Sequence, residues 1–158
     1  MAATSTEGPN SAPFIRAARV EDASDWTRLR TALWPESPAD HVREVAEYFV
    51  NPPARSVCLV AASAEGRVVG FAEVGVRDYA EDCLTSPVGF LEGIYVDTAW
   101  RTGGIGRALV EAGESWARAR GCTEMASDRS LENEASGAFH VAIGYDEVQR
   151  IVCYRKDL

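Results

Sequence analysis

The sequence predicts a mixed α/β fold, with a sheet that is partly antiparallel and partly parallel. Three observations predict it. The first half carries two apolar, β-branched runs joined by a tight turn, the mark of a hairpin. The second half alternates strand-like and helix-like segments, the mark of parallel pairing. Between the halves, "WRTGGIGRAL" (100–109) places a glycine-rich turn between an apolar run and a helical pattern.

The elements follow in order. "FIRAA" (14–18) reads as a first strand. In "EDASDWTRLRTALW" (21–34), Trp26, Leu29 and Leu33 recur at steps of three and four, the period of an amphipathic helix, and Pro35 ends it. "SPADHVREVAEYFV" (37–50) starts with Ser37 as N-cap, Pro38 in the first turn and Asp40 three residues on. Its expected buried face is Val42, Val45, Ala46 and Phe49, and Pro52 and Pro53 close it. "SVCLVAAS" (56–63) and "VVGFAEVGVR" (68–77) form the hairpin, with Gly66 in the turn. Residues 78–87 are polar and irregular, hence a loop. "VGFLEGIYV" (88–96) is a strand whose Gly93 signals a bulge or a close backbone approach. A helix over about 106–120 is marked by Ile105, Leu109, Ala112 and Trp116 and stopped by Gly121. "EMAS" is a short strand ending at Asp128, "NEASGAFHVAI" (133–143) a helix stopped by Gly144, and "VQRIVCYRK" (148–156) a last strand.

Totals narrow the function classes. With 158 residues, 46% hydrophobic and 25% charged, the chain is globular. The expectation is one domain over 13–158, preceded by a disordered tail over 1–12 with no signal-peptide pattern and no glycine for myristoylation. No apolar stretch reaches membrane-spanning length. A net charge of −8 argues against binding nucleic acid through its phosphates and suits a cationic ligand, or simply solubility. Cys58, Cys83, Cys122 and Cys153 form no C-x-x-C, and His41 and His140 are the only histidines, so no metal site is expected. Reduced thiols in a cytoplasmic protein are expected, with Cys58 and Cys153 in the core and Cys83 the thiol to watch.

A strand, a glycine turn and a helix N-terminus make an anion site, because the first helical N–H groups lack intrahelical partners and the helix dipole is positive there. The pattern is neither a P-loop, since Arg107 and Ala108 follow Gly106, nor a Rossmann fingerprint, since Leu109 stands where a third glycine would be. It is R-x-x-G-x-G, as Arg101, Gly104 and Gly106. In this it resembles the Gcn5-related N-acetyltransferase (GNAT) superfamily. The resemblance implies a mostly antiparallel sheet with splayed central strands, and acetyl-CoA as cosubstrate. It implies that Thr102, Gly103, Gly104, Ile105, Gly106 and Arg107 cradle the pyrophosphate beside Arg101, and that Ile94, Tyr95 and Val96 offer backbone groups to the pantetheine. An N–H near Ile94 would polarise the thioester carbonyl. Asn133 matches a cofactor-contacting asparagine or is a plain helix cap. Where many members carry a tyrosine that reprotonates the thiolate, this chain has His140, either a proton donor or a structural residue.

"LWPE" (33–36), "RDY" (77–79), "SPVGFLEGIYV" (86–96), "MASD" (125–128) and "YRKDL" at the C-terminus resemble the aminoglycoside 6′-N-acetyltransferases over nearly all of 14–158. That implies direct acetylation of a 6′-amine, and a homodimer. It also implies that Glu92 and Asp128 face the antibiotic as catalytic or orienting carboxylates, with Trp34, Tyr79 and Gln149 lining its site. Read as residues, Glu92 is a carboxylate in an apolar run that needs a partner, an internal arginine or the substrate. Asp128 ends a parallel strand, where α/β ligands bind, or caps the next turn. Trp34 serves the substrate or the core. Gln149 stands where members of this branch can carry glutamate. Acetylation of another small amine or a peptide N-terminus, and a non-catalytic acyl-CoA-binding module, are the alternative readings.

Overall fold

The computed structural model describes residues 12–158; the tail expected over 1–12 falls outside them except for Ala12. A five-stranded sheet runs in the order β1 (Phe14–Ala17), β2 (Ser56–Ala62), β3 (Val68–Arg77), β4 (Val88–Val96), β5 (Met125–Ser127). The first four strands pair antiparallel and β4 pairs parallel with β5, so the mixed sheet is as the sequence predicts.

Helices α1 (Ala23–Leu33) and α2 (Pro38–Val50) cover one face, α3 (Ile105–Arg118) the other, and α4 (Glu134–Ala142) follows β5. Strand alternation divides the core accordingly. On β2, Cys58 and Val60 point to Trp26, Leu29 and Val45 of the α1–α2 layer, while Leu59 and Ala61 point to Ile105, Leu109 and Val110 of α3. Gly66 takes a φ of +84° in the hairpin turn, a left-handed value that glycine adopts without strain.

Two expectations are corrected. Helix α2 buries His41 and Val45 and half-buries Tyr48 and Phe49, whereas Val42 and Ala46 are exposed. The cause is polar: His41 Nε2 lies 2.7 Å from the Trp34 carbonyl, and the Tyr48 hydroxyl accepts the Cys58 N–H. Hydrogen bonds have thus rotated a face that hydropathy alone would set one position further on. The second correction is the last strand. Residues 145–158 form no strand, and Val148, Ile151, Val152 and Tyr154 are exposed, as is Cys153, which is therefore not a core residue. The outer edge of β5 has no strand partner among the described residues.

Candidate active site

The site is built where the sheet comes apart. β4 and β5 pair only at Gly89–Met125, Phe90–Ala126 and Leu91–Ser127. Beyond Leu91, β4 continues to Val96 against β3 alone, while the chain leaves β5 at Asp128. The edge of Ile94, Tyr95 and Val96 facing away from β3 therefore has no strand partner among the described residues, although Arg101 Nε occupies the Val96 carbonyl. The bulge lies on the same stretch. Glu73 pairs with Gly93 and Val74 with Leu91, so Glu92 is the extra residue and is turned out of the ladder. Gly93 supplies the close approach expected of it: a β-carbon there would sit 2.4 Å from the Trp34 ring.

The glycine turn continues β4. Thr98–Gly103 forms a 3₁₀ turn, and Gly104, at φ +74°, caps α3. A β-carbon at Gly103 or Gly104 would meet nothing within 4 Å, so this backbone faces open space. Three features fit the diphosphate of coenzyme A: the uncovered amides, the α3 N-terminus, and the open β4 edge for the adjoining arm. Gly106 has a different reason to be glycine, since its β-carbon would meet the Phe139 ring at 3.0 Å; it packs α3 against α4. The flanking arginines brace the turn. Arg101 Nε donates to the Val96 carbonyl (3.0 Å) and Arg107 Nη2 to the Ala142 carbonyl (2.5 Å). Asn133 Oδ1 accepts the Ser136 N–H, so the capping role is present.

On the acceptor side, Glu92 has the arginine partner its position demanded. Arg77 Nε donates to Oε1 (3.1 Å) and Nη2 to Oε2 (2.6 Å), while the guanidinium lies 3.4 Å over the Phe90 ring. The pair is not sealed in the core: Glu92 remains 36% exposed. Asp128 is exposed and makes no hydrogen bond or ion pair among the described residues, so it does not cap the next turn. Trp34 is half-buried, stacked on Gly93 and edge-on to Phe71, which makes it both wall and core. Tyr79 stands exposed in the loop after β3. The structure places these groups in two hollows. Asp128 and Gln149 line a cleft of about 1190 Å³ between β5, α4 and the C-terminal arm, whereas Glu92 lines a smaller one of about 360 Å³ beneath α1 and α2.

Three groups escaped the sequence reading. Glu73, in the smaller hollow, accepts the Trp26 indole N–H (2.9 Å) and lies 3.1 Å from Arg30 Nε. Burial pushes its carboxyl up despite Arg30. A glutamate inside the apolar run 68–77 was the available signal. Ser127 hydrogen-bonds both the Leu91 carbonyl (3.1 Å) and His140 Nε2 (2.9 Å), a contact no spacing rule announces. Arg77 was visible only within "RDY", without a role. Cys83 is no activated thiol, since burial and then Glu124, Asp82 and Glu81 raise it. No metal-binding group of side chains occurs among the described residues, and none of their helices is long and apolar enough to cross a membrane.

A splayed sheet with a glycine-capped helix at its opening defines an acyl-CoA-type N-acyltransferase, and the chain belongs to the acetyltransferase (GNAT) family, whose model matches residues 23–145. Within that family it is 44% identical over 151 residues to the aminoglycoside N(6′)-acetyltransferase type 1 of Klebsiella aerogenes, covering 94% of this chain and 99% of the relative. It is 43% identical to that of Stenotrophomonas maltophilia, covering 94% and 95%. Among solved structures, it is similar to the aminoglycoside 6′-N-acetyltransferase AAC(6′)-IG of Acinetobacter haemolyticus (TM-score 0.85, 36% identity, 92% and 99% covered). It is also similar to AAC(6′)-Iy, solved with the bisubstrate analogue CoA-S-monomethyl-acetylneamine (TM-score 0.86, 37% identity, 94% and 100% covered).

Proposed function

We propose that this chain is an enzyme that transfers the acetyl group of acetyl-CoA to the 6′-amine of aminoglycosides, by direct attack of the amine. The observation that carries the reading is the opening of the sheet after the Leu91–Ser127 pair, where Glu92 and Asp128 are the next residues on the two strands and β4 leads on to the uncovered Gly103–Gly104 turn. Relatives aligned along nearly the whole chain carry that activity in their names. Bound there, acetyl-CoA supplies an activated thioester.

The amides of Thr102–Arg107, braced by Arg101, hold the diphosphate, and Ile94, Tyr95 and Val96 align the pantetheine arm. Asn133 contacts the same ligand while capping α4. Trp34 and Tyr79 offer flat faces to sugar rings. Glu92, both of whose oxygens accept hydrogen bonds from Arg77, orients the ammonium. Asp128, with no such tie, takes the amine proton, directly or through water. Gln149 adds a neutral contact. Holding both reactants in this geometry supplies most of the acceleration.

The protein acts as one domain over 13–158 in the cytoplasm, with its thiols free, and its acidic surface draws in a polycationic drug without involving nucleic acid or membrane. It is a homodimer. What supports this is the C-terminal arm: its exposed Val148, Ile151, Val152 and Tyr154 lack cover among the described residues, beside a β5 edge that none of those residues pairs, and a second copy supplies it. A panel of amines assayed by release of free thiol tests the function. Turnover confined to aminoglycosides is expected. Turnover on other amines or peptide N-termini alone, or tight coenzyme A binding without turnover, overturns it.

A further inference from the structure

The proton lost by the amine has a destination in Asp128, and the departing thiolate also needs a proton, for which the sequence offered only His140 as a donor or a structural residue. Ser127 is the last paired residue of β5, so its hydroxyl stands at the vertex of the splay, with Asp128 next to it in the chain. The open β4 edge begins immediately across from it, at Glu92. Behind the hydroxyl lies His140, with Nε2 2.9 Å from Oγ and Nδ1 2.7 Å from the Ser136 carbonyl. The Ser127 hydroxyl in turn donates to the Leu91 carbonyl at 3.1 Å. Carbonyls only accept, so Nδ1 carries a proton. In its imidazolium form the ring donates from both nitrogens and fills all three contacts at once, at the C-terminal turn of α4, where a helix favours a cation.

We propose that Ser127 and His140 form a proton-delivery pair for the sulfur of coenzyme A. Ser127 is the catalytic residue and His140 the positioning and recharging residue behind it. As the carbon–sulfur bond breaks, its electron pair passes to sulfur. The Ser127 O–H turns from Leu91 and gives its proton to that sulfur, forming the thiol. The His140 Nε2–H moves to the serine oxygen, leaving a neutral ring still donating from Nδ1 to Ser136. No charge remains on the serine, and His140, which lines the wide cleft, regains a proton from water there.

The pair rests on the proposed acetyl transfer, and the tests separate the two. Ser127→Ala and His140→Gln are expected to lower kcat on an aminoglycoside by about 10²-fold with little change in either KM, the range for lost general-acid help. The solvent deuterium effect on kcat is expected to change with them, and Ser127→Thr, which keeps the hydroxyl, to restore most of the rate. A role confined to holding the strands together would move KM, coenzyme A affinity or melting temperature instead. Without turnover, the ¹⁵N imidazole spectrum of His140 is expected to respond to coenzyme A but not to desulfo-coenzyme A, and to neither in Ser127→Ala. If wild type acetylates aminoglycosides and Ser127→Ala keeps kcat within about threefold, or if both cofactor forms shift His140 alike, the pair is refuted and the function stands. If wild type acetylates none, the function fails and the pair with it.

Discussion

Replacing Glu92 by glutamine separates what this carboxylate does for folding from what it does for substrate. In the free protein its oxygens meet Arg77 at 3.1 and 2.6 Å, but both side chains are partly exposed, at 36% and 42%. Solvent screening limits such a pair to roughly 0.2–1 kcal/mol. Arg77 also keeps its place over Phe90 without the pair. The melting temperature is therefore expected to fall by no more than about 2–4 °C for a domain of this size. Toward an ammonium group, the variant exchanges a charge-assisted hydrogen bond for a neutral one, a loss of about 1.5–3 kcal/mol. That corresponds to roughly 10- to 10²-fold in kcat/KM for the aminoglycoside. Because Arg77 occupies both Glu92 oxygens, the loss is expected in KM, with kcat nearly unchanged. Steady-state kinetics at saturating acetyl-CoA, beside a thermal melt, reads both. A tenfold or larger fall in kcat at constant KM would show Glu92 to be the base and refute the assignment of that role to Asp128. An unchanged kcat/KM would remove Glu92 from the acceptor site.

Other perturbations probe separate parts of the molecule. Gly104→Ala forces a β-carbon onto a φ of +74°, at a cost of about 1–2 kcal/mol. Coenzyme A affinity, read by calorimetry, is expected to drop with it, since the amides must shift. Asp22 is 4% exposed; burial pushes its carboxyl up, yet the hydrogen bonds from the Arg16 guanidinium and the Arg19 N–H prevail and hold it below the usual range. Its stabilisation is thus complete above the unfolded value of about 3.9 and lost as pH falls through the lower folded value. Asp22→Asn is expected to cost about 3 kcal/mol in urea titrations at pH 7, with the gap to wild type narrowing toward pH 2. Deleting residues 147–158 is expected to turn a dimer into a monomer in sedimentation velocity; an unchanged sedimentation coefficient would place the dimer contact elsewhere.

The parts readable from sequence were those governed by local rules. Gly66 and Gly104 mark turns because few other residues tolerate a positive φ, and Trp26 and Leu29 reveal a helix face because apolar spacing sets it. Glu92 was visible as a carboxylate in an apolar run and Gly93 as a sign of a bulge or close approach, although that Glu92 is the residue turned out was not, since the register belongs to the pairing of two strands. What stayed hidden depended on distant partners. His41 displaced Val42 from the buried face through one bond to the Trp34 carbonyl. The segment 148–156 carries a β-branched, apolar run at Ile151–Tyr154 but has no neighbouring strand among the described residues, and a strand exists only with a partner. Ser127 and His140 meet across 13 residues, a distance no motif bridges.

The central claim is that the vertex of the splayed sheet delivers an acetyl group to one particular nitrogen. Its most direct test is to incubate the protein with ¹³C-acetyl-CoA and kanamycin and locate the label by NMR. The expected result is a single amide at the 6′-nitrogen. An acetyl group on any other nitrogen, or recovery of unmodified drug from protein that binds coenzyme A, would contradict the account.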